Sequence, residues 1–152
     1  MSYGEKRGFF GIGIFHAKTE ENIGTLWRSA AILGASFIFT IGKRYRAQAS
    51  DTMKAPRHIP LFHYQDWDDF FRHVPNDCPV VAVELAKNSI PLESYYHRER
   101  CIYLLGAEDH GLPQNILDRC TETVQLLGDY CMNVATAGSI VMYDRATKRG
   151  AE

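Results

Sequence analysis

Two hydrophobic periods alternate along this chain. Phe9–Phe15 (FFGIGIF) and residues 36–41 (SFIFTI) are short runs rich in Phe and Ile, bounded by glycine or polar residues. Runs this short, apolar on consecutive positions, predict strands buried on both faces. Val80–Val83 and residues 102–105 (IYLL) read the same way, and residues 122–127 read as a last strand. Between them the pattern turns helical. Over residues 23–33, Ile23, Leu26, Trp27, Ala30 and Leu33 fall on one stripe, with Asn22 as the expected N-cap and Gly34 as a left-handed stop. Residues 66–73 (DWDDFFRH) predict a short helix with its acids early and its base late, as the helix dipole favours. Another helix is expected over 114–120, after Pro113. A closing helix from about Asn133 carries Val134, Ala137, Gly138 and Val141 on one face, where Gly138 would let a second helix approach closely. Strands alternating with helices predict an α/β domain whose largely parallel sheet is covered on both sides.

Length and composition narrow this further. A chain of 152 residues suits one compact domain, residues 1–152, burying roughly 70% of the surface that the unfolded chain exposes. An apolar share of 45% and a charged share of 23% are ordinary for a globular protein and argue against disorder. Met1 opens a polar stretch, and no apolar run approaches the roughly eighteen residues that would span a bilayer, so a soluble, cytoplasmic protein is expected. The four cysteines form no C-x-x-C pair and read as buried reduced thiols. The net charge of −1 gives no global field to attract nucleic acid, which argues against a general, sequence-blind binder. Cationic character is local instead: Lys43, Arg44, Arg46, Lys54 and Arg57 face only Asp51 within one segment, which is either a phosphate-facing loop or a solvated charged loop.

Chemistry has few places to reside. The segment LLGAEDHGLP, residues 104–113, is a buried strand breaking into a turn with two glycines, one acid and one histidine. Open parallel sheets bind ligands beyond the carboxyl ends of their strands, so the turn is at the ligand end. It lacks the Lys-Ser/Thr of a phosphate loop, and neither it nor Gly11-Ile12-Gly13 fits G-x-G-x-x-G; a degenerate dinucleotide loop is the rival enzyme reading. There is no G-x-S-x-G elbow, and Asp109-His110 adjacent in one turn is not a triad. The six histidines show no metal-binding spacing, so no metal is expected. Arg28 lies about 140° around its helix from Ile23, off the apolar stripe and between the small residues Gly24 and Ala31.

Three segments together carry a family resemblance. Asn22-Ile23-Gly24-Thr25-Leu26-Trp27-Arg28 resembles the N-x-G-x-x-x-R signature of the SpoU/TrmH class of SPOUT methyltransferases. Residues 106–112 are similar to that class's G-x-E-x-x-G-L, and residues 131–138 to its S-L-N-V-x-x-A-x motif. Order and separation match across nearly the whole chain. The resemblance implies an α/β sheet with helices on both faces and a C-terminal deep trefoil knot, an exception to the rule that chains avoid knots. It also implies a homodimer and transfer of a methyl group from S-adenosylmethionine to a ribose 2′-hydroxyl of structured RNA. From the chain's small size a stand-alone catalytic domain with no appended RNA-binding domain is expected, acting on tRNA before rRNA.

Carried over by residue, the resemblance places the methyl donor against Leu105, Gly106, Glu108 and Gly111 on one wall and Leu126, Leu127, Met132, Asn133, Val134 and Ala135 on another. Glycine permits close backbone approach, and an apolar slot suits an adenine ring. Arg28 becomes the catalytic residue, either as general base or, physically easier for a guanidinium, as a fixed cation that stabilises the developing alkoxide and grips a phosphate. Asn22 joins it, and Lys43, Arg44, Arg46, Lys54 and Arg57 would contact RNA. Two departures stand out. Cys131 replaces the family serine, a weak thiol for a strong hydroxyl donor, and Leu126-Leu127 replaces a proline-containing loop start. A knotted RNA-binding dimer that has lost catalysis is the non-enzyme alternative.

Overall fold

The computed structural model describes residues 8–42, 58–107 and 109–150. Its elements run β1 (Phe9–Phe15), α1 (Glu20–Leu33), β2 (Phe37–Ile41), β3 (Leu61–Tyr64), α2 (Trp67–Arg72), β4 (Val80–Val83) and β5 (Ile90–Pro91). After a 3-10 turn at Leu92–Ser94 follow β6 (Arg100–Leu105), α3 (Gln114–Leu117), β7 (Glu122–Gln125) and α4 (Val134–Gly150). The seven strands form one sheet in the order β3-β2-β1-β6-β4-β7-β5, and every pairing is parallel. The predicted α/β class with a parallel sheet is what the chain adopts.

A period of two sorts side chains between the sheet's faces. Phe10, Ile12 and Ile14 of β1 join Leu26, Trp27, Val141 and Met142 of α1 and α4 in one core. Phe37, Phe39 and Ile41 of β2 join Phe70 of α2 and Ile116 of α3 in the other. On this second face β1 offers Gly11 and Gly13, because a Cβ at either would collide with the Phe37 or Phe39 ring of the neighbouring strand. The pair therefore makes room for aromatic packing inside a strand, which disposes of Gly11-Ile12-Gly13 as a dinucleotide loop.

Helix ends differ from expectation in one informative place. α1 begins three residues before Ile23: the Thr19 side chain, not Asn22, accepts the first free amide, that of Asn22, at 3.3 Å, and Glu20 and Glu21 fill the first turn where the dipole favours acids. Gly34 ends α1 at φ 92°, as predicted. Asp66 caps α2 through the Asp69 amide. β3 and β5 are unpredicted edge strands, one half polar and one only two residues long. α3 and β7 stop short of the predicted residues 120 and 127.

α1 and α4 pack closely on the same sheet face. A Cβ on Gly138 would lie 2.5 Å from Leu26 Cδ1 and 3.0 Å from Leu105 Cδ1, so a side chain there would have to displace buried methyl groups of the core. Ser139 adds a hydroxyl contact to Ser29 at 2.9 Å.

The far end of α4 is tied to the sheet by a buried polar chain. Arg145 Nη1 donates to the Tyr103 hydroxyl (3.0 Å), which lies 2.6 Å from His97 Nδ1, and His97 Nε2 lies 2.7 Å from the Asp144 carboxylate. Lys148 completes it with a 2.8 Å ion pair to Asp144. Burial outweighs the Asp144 contact and lowers the His97 pKa, with Arg145 and Lys148 acting in the same direction and Tyr95 packing edge-on against the ring. The native state therefore holds His97 neutral, whereas the unfolded chain titrates near the ordinary value of about 6.5. As pH falls below that value the unfolded state takes up a proton that the native state excludes, and stability drops; as pH rises back, stability is regained. Melting temperature should accordingly fall between about pH 7 and pH 5.5, and His97→Gln should flatten that slope while lowering the melting temperature at pH 7.

Candidate functional site

The carboxyl ends of β4 and β6 open into a cavity of about 520 Å³, its mouth included. This is the end of a parallel sheet at which ligands bind. One wall is Val83, Glu84 and Leu85 leaving β4; the next is Leu105, Gly106, Ala107 and Gly111 leaving β6. Leu126, Tyr130, Cys131, Met132, Val134 and Ala137 close it from the segment that leads into α4.

Six residues expected at a donor site, Leu105, Gly106, Gly111, Leu126, Met132 and Val134, thus come together around one apolar space. Three others sit elsewhere. Leu127 is 79% exposed and outside the lining, and Ala135 faces a groove on the outer side of α1 and α4. Asn133 caps α4, its side-chain oxygen taking the amides of Ala135 (3.0 Å) and Thr136 (3.1 Å). Glu108 lies outside the described residues, as do Lys43, Arg44, Arg46, Lys54 and Arg57.

The glycine turn is built for close packing. Gly111 has φ +61° and returns an amide to the Ala107 carbonyl at 2.8 Å. A Cβ on Gly106 would lie 2.5 Å from the Gly111 carbonyl carbon, so the turn closes on itself only with glycine at position 106. Lys18 reaches over to Asp109 in a 3.2 Å surface ion pair, and His110 is exposed.

Glu84 is the residue that sequence reasoning passed over. Its Oε2 accepts the Leu112 amide at 2.9 Å and its Oε1 accepts the Leu85 amide at 3.1 Å. The Cys131 thiol lies 3.8 Å from Oε1. One carboxylate therefore touches both of the other segments that wall the cavity. Burial, then the Glu84 charge, raises the Cys131 pKa and keeps it a thiol. The signal that could have found Glu84 is its place: the first residue after the buried run VVAV, an acid at a strand's carboxyl end.

The first motif and the third meet directly. Asn133 Nδ2 donates to Asn22 Oδ1 at 2.9 Å, joining the first turn of α1 to the start of α4. Asn22 thus braces the helix entrance, while its backbone amide is held by Thr19. Arg28 is exposed on α1, off the buried stripe of Ile23, Leu26, Trp27 and Ala30. Among the described residues no group of acids, histidines and cysteines could hold a metal ion, and no helix is long and apolar enough to cross a membrane.

Comparison with known proteins places this geometry. The SpoU rRNA Methylase family pattern matches residues 10–143. The AdoMet-bound rRNA methyltransferase from Sinorhizobium meliloti superposes with a TM-score of 0.82 at 23% identity; the match covers 93% of this chain and 57% of that one. The A. aeolicus TrmH/SpoU tRNA modifying enzyme gives 0.81 at 16% identity, covering 97% of this chain and 80% of that chain. A structure concerned with 2-OH methylation of C/U34 on tRNA gives 0.78 at 22% identity, covering 94% and 97%. This chain spans a little over half of the Sinorhizobium protein. No curated protein matches it. The family match covers all three motifs, the cavity and the helix that carries Arg28, and the chain belongs to the SpoU rRNA methylase family.

Proposed function

We propose that this chain transfers the methyl group of S-adenosylmethionine to a ribose 2′-hydroxyl of structured RNA, tRNA before rRNA. The observation that carries the reading is the apolar cavity at the carboxyl ends of β4 and β6, walled by a turn whose Gly106 and Gly111 leave no room for side chains of their own. Its chemistry fits the donor: apolar walls suit the adenine ring, and the glycines admit backbone close to it. The donor supplies an activated sulfonium methyl. Leu105, Gly106, Gly111, Leu126, Met132 and Val134 would hold it, and we assign Glu108 to the same wall.

Arg28 is the proposed catalytic residue. As a cation on a rigid helix it would stabilise negative charge growing on the 2′-oxygen and grip the neighbouring phosphate with its fork of donors. The same reading gives Asn22 the task of fixing the start of that helix, and Lys43, Arg44, Arg46, Lys54 and Arg57 the task of phosphate contacts. The trefoil passage belongs here too, with residues 126–133 threading past the 106–112 turn. So does the homodimer, whose interface we place on α1 and α4, where Ile32, Ile140 and Tyr143 are 62%, 38% and 63% exposed. We assign the protein to the cytoplasm, with its RNA.

Labelled S-adenosylmethionine, offered with separated tRNA and rRNA, tests the reading. Label in tRNA supports it, and label in rRNA alone would overturn the preference. Donor binding without transfer to either would make the chain an RNA-binding dimer, and a thermal shift with nicotinamide cofactors but not with the donor would favour a dehydrogenase.

A further inference from the structure

We propose that Glu84 reads the ribose diol of the methyl donor, an inference that rests on the donor reading above. Glu84 is the one carboxylate lining the cavity among the described residues, and the remaining lining is mostly apolar. An ionised carboxyl group has about four lone pairs to offer. The Leu112 amide takes one on Oε2 and the Leu85 amide one on Oε1. Among the described residues Oε2 therefore keeps a lone pair, and Oε1 spends its second only on the Cys131 thiol at 3.8 Å, a weak donor that a hydroxyl displaces easily.

Two adjacent acceptor positions on one carboxylate suit two adjacent hydrogen donors. The donor molecule carries such hydrogens on its adenine amino group, its amino-acid ammonium and its vicinal 2′- and 3′-hydroxyls. With the adenine ring against the apolar walls, the ribose bonded directly to it is the next part to meet a carboxylate in the same lining, and its two hydroxyls are the pair assigned to Glu84. An acid beyond the end of a parallel strand holds a ribose hydroxyl in the same way in dinucleotide-binding sheets. The neighbours of Glu84 preserve its place. A Cβ on Gly111 would come within 2.5 Å of Oε2, so any side chain there would push the carboxylate aside. The departure at Cys131 acquires a meaning as well, because a thiol leaves Oε1 more available than the family's serine hydroxyl would.

Titration calorimetry with S-adenosylhomocysteine and its 2′-deoxy and 3′-deoxy analogues tests the proposal without requiring turnover. Hydrogen bonds to a charged group imply that wild type binds each deoxy analogue about tenfold or more weakly than the parent. Glu84→Gln keeps one acceptor for the Leu112 amide, so it should bind the parent more weakly while its penalty for a missing hydroxyl shrinks to about threefold or less. An undiminished penalty in Glu84→Gln would overturn the proposal and leave Glu84 a strut between loops. Equal affinity of wild type for parent and deoxy compounds would overturn it without need of the variant. Failure of wild type to bind S-adenosylhomocysteine at all would instead overturn the donor reading on which it rests.

Discussion

Arg28→Ala is expected to lower methyl transfer by about two to three orders of magnitude while leaving donor affinity and melting temperature almost unchanged. The two halves of that expectation have separate physical sources. Arg28 is exposed and off the stripe of Ile23, Leu26, Trp27 and Ala30 that holds α1 to the sheet, and a polar contact made by an exposed side chain is worth only about 0–1 kcal/mol. The rate loss follows from removing a fixed cation from a charge that exists only in the transition state. Arg28→Lys should recover part of the rate, because it restores the charge but not the planar fork that binds a phosphate bidentately. Single-turnover transfer to RNA, run beside donor titration, separates the effects. Unimpaired transfer in Arg28→Ala would remove Arg28 from the chemistry.

The largest effect on stability is expected at the opposite end of the molecule. Arg145 is fully buried, yet it is a cation. Its Nη1 donates to the Arg98 carbonyl at 2.6 Å and to the Tyr103 hydroxyl at 3.0 Å, its Nη2 donates to the Glu99 carbonyl at 2.8 Å, and the guanidinium lies 4.7 Å over the Phe10 ring. Arg145→Met fills most of the volume but removes three hydrogen bonds from a charged donor, each worth about 1.5–3 kcal/mol; the Glu99 carbonyl keeps the Phe9 amide at 2.9 Å and the Tyr103 hydroxyl keeps His97, while the Arg98 carbonyl loses this partner. We expect a loss of about 3–5 kcal/mol, or about 6–20 °C in melting temperature for a domain of this size. Thermal unfolding followed by circular dichroism measures it. A shift of a degree or two would mean that the acceptors find other partners.

The two sites also show what the chain's pattern reveals and what it hides. β1, β2 and β4 were legible because each is an apolar run too short to be a core helix and is buried on both faces of a parallel sheet. α1 was legible from its stripe and from Gly34, but its start was not, since Thr19 and Asn22 are both good caps and only tertiary structure decides. Asn22 is drawn away from capping by Asn133, more than a hundred residues along the chain. β3 and β5 escaped notice because edge strands carry mixed polarity and little length. Six residues that line the cavity, Leu105, Gly106, Gly111, Leu126, Met132 and Val134, were named through the family resemblance. Glu84 was not, because no spacing links a β4 acid to the Leu112 amide 28 residues later. Arg145 was hidden in another way: it continues the stripe of Val134, Ala137, Gly138 and Val141 at helical spacing, but a cation there reads as a break in the pattern until Tyr103 and the 98–99 carbonyls are seen to receive it.

The direct test of the account is to incubate the protein with isotopically labelled S-adenosylmethionine and total RNA, digest the RNA, and identify the labelled nucleosides by mass spectrometry. The account predicts label in 2′-O-methylated nucleosides, abolished by Arg28→Ala. Label on a base, or in no nucleoside at all while the donor still binds, would contradict it.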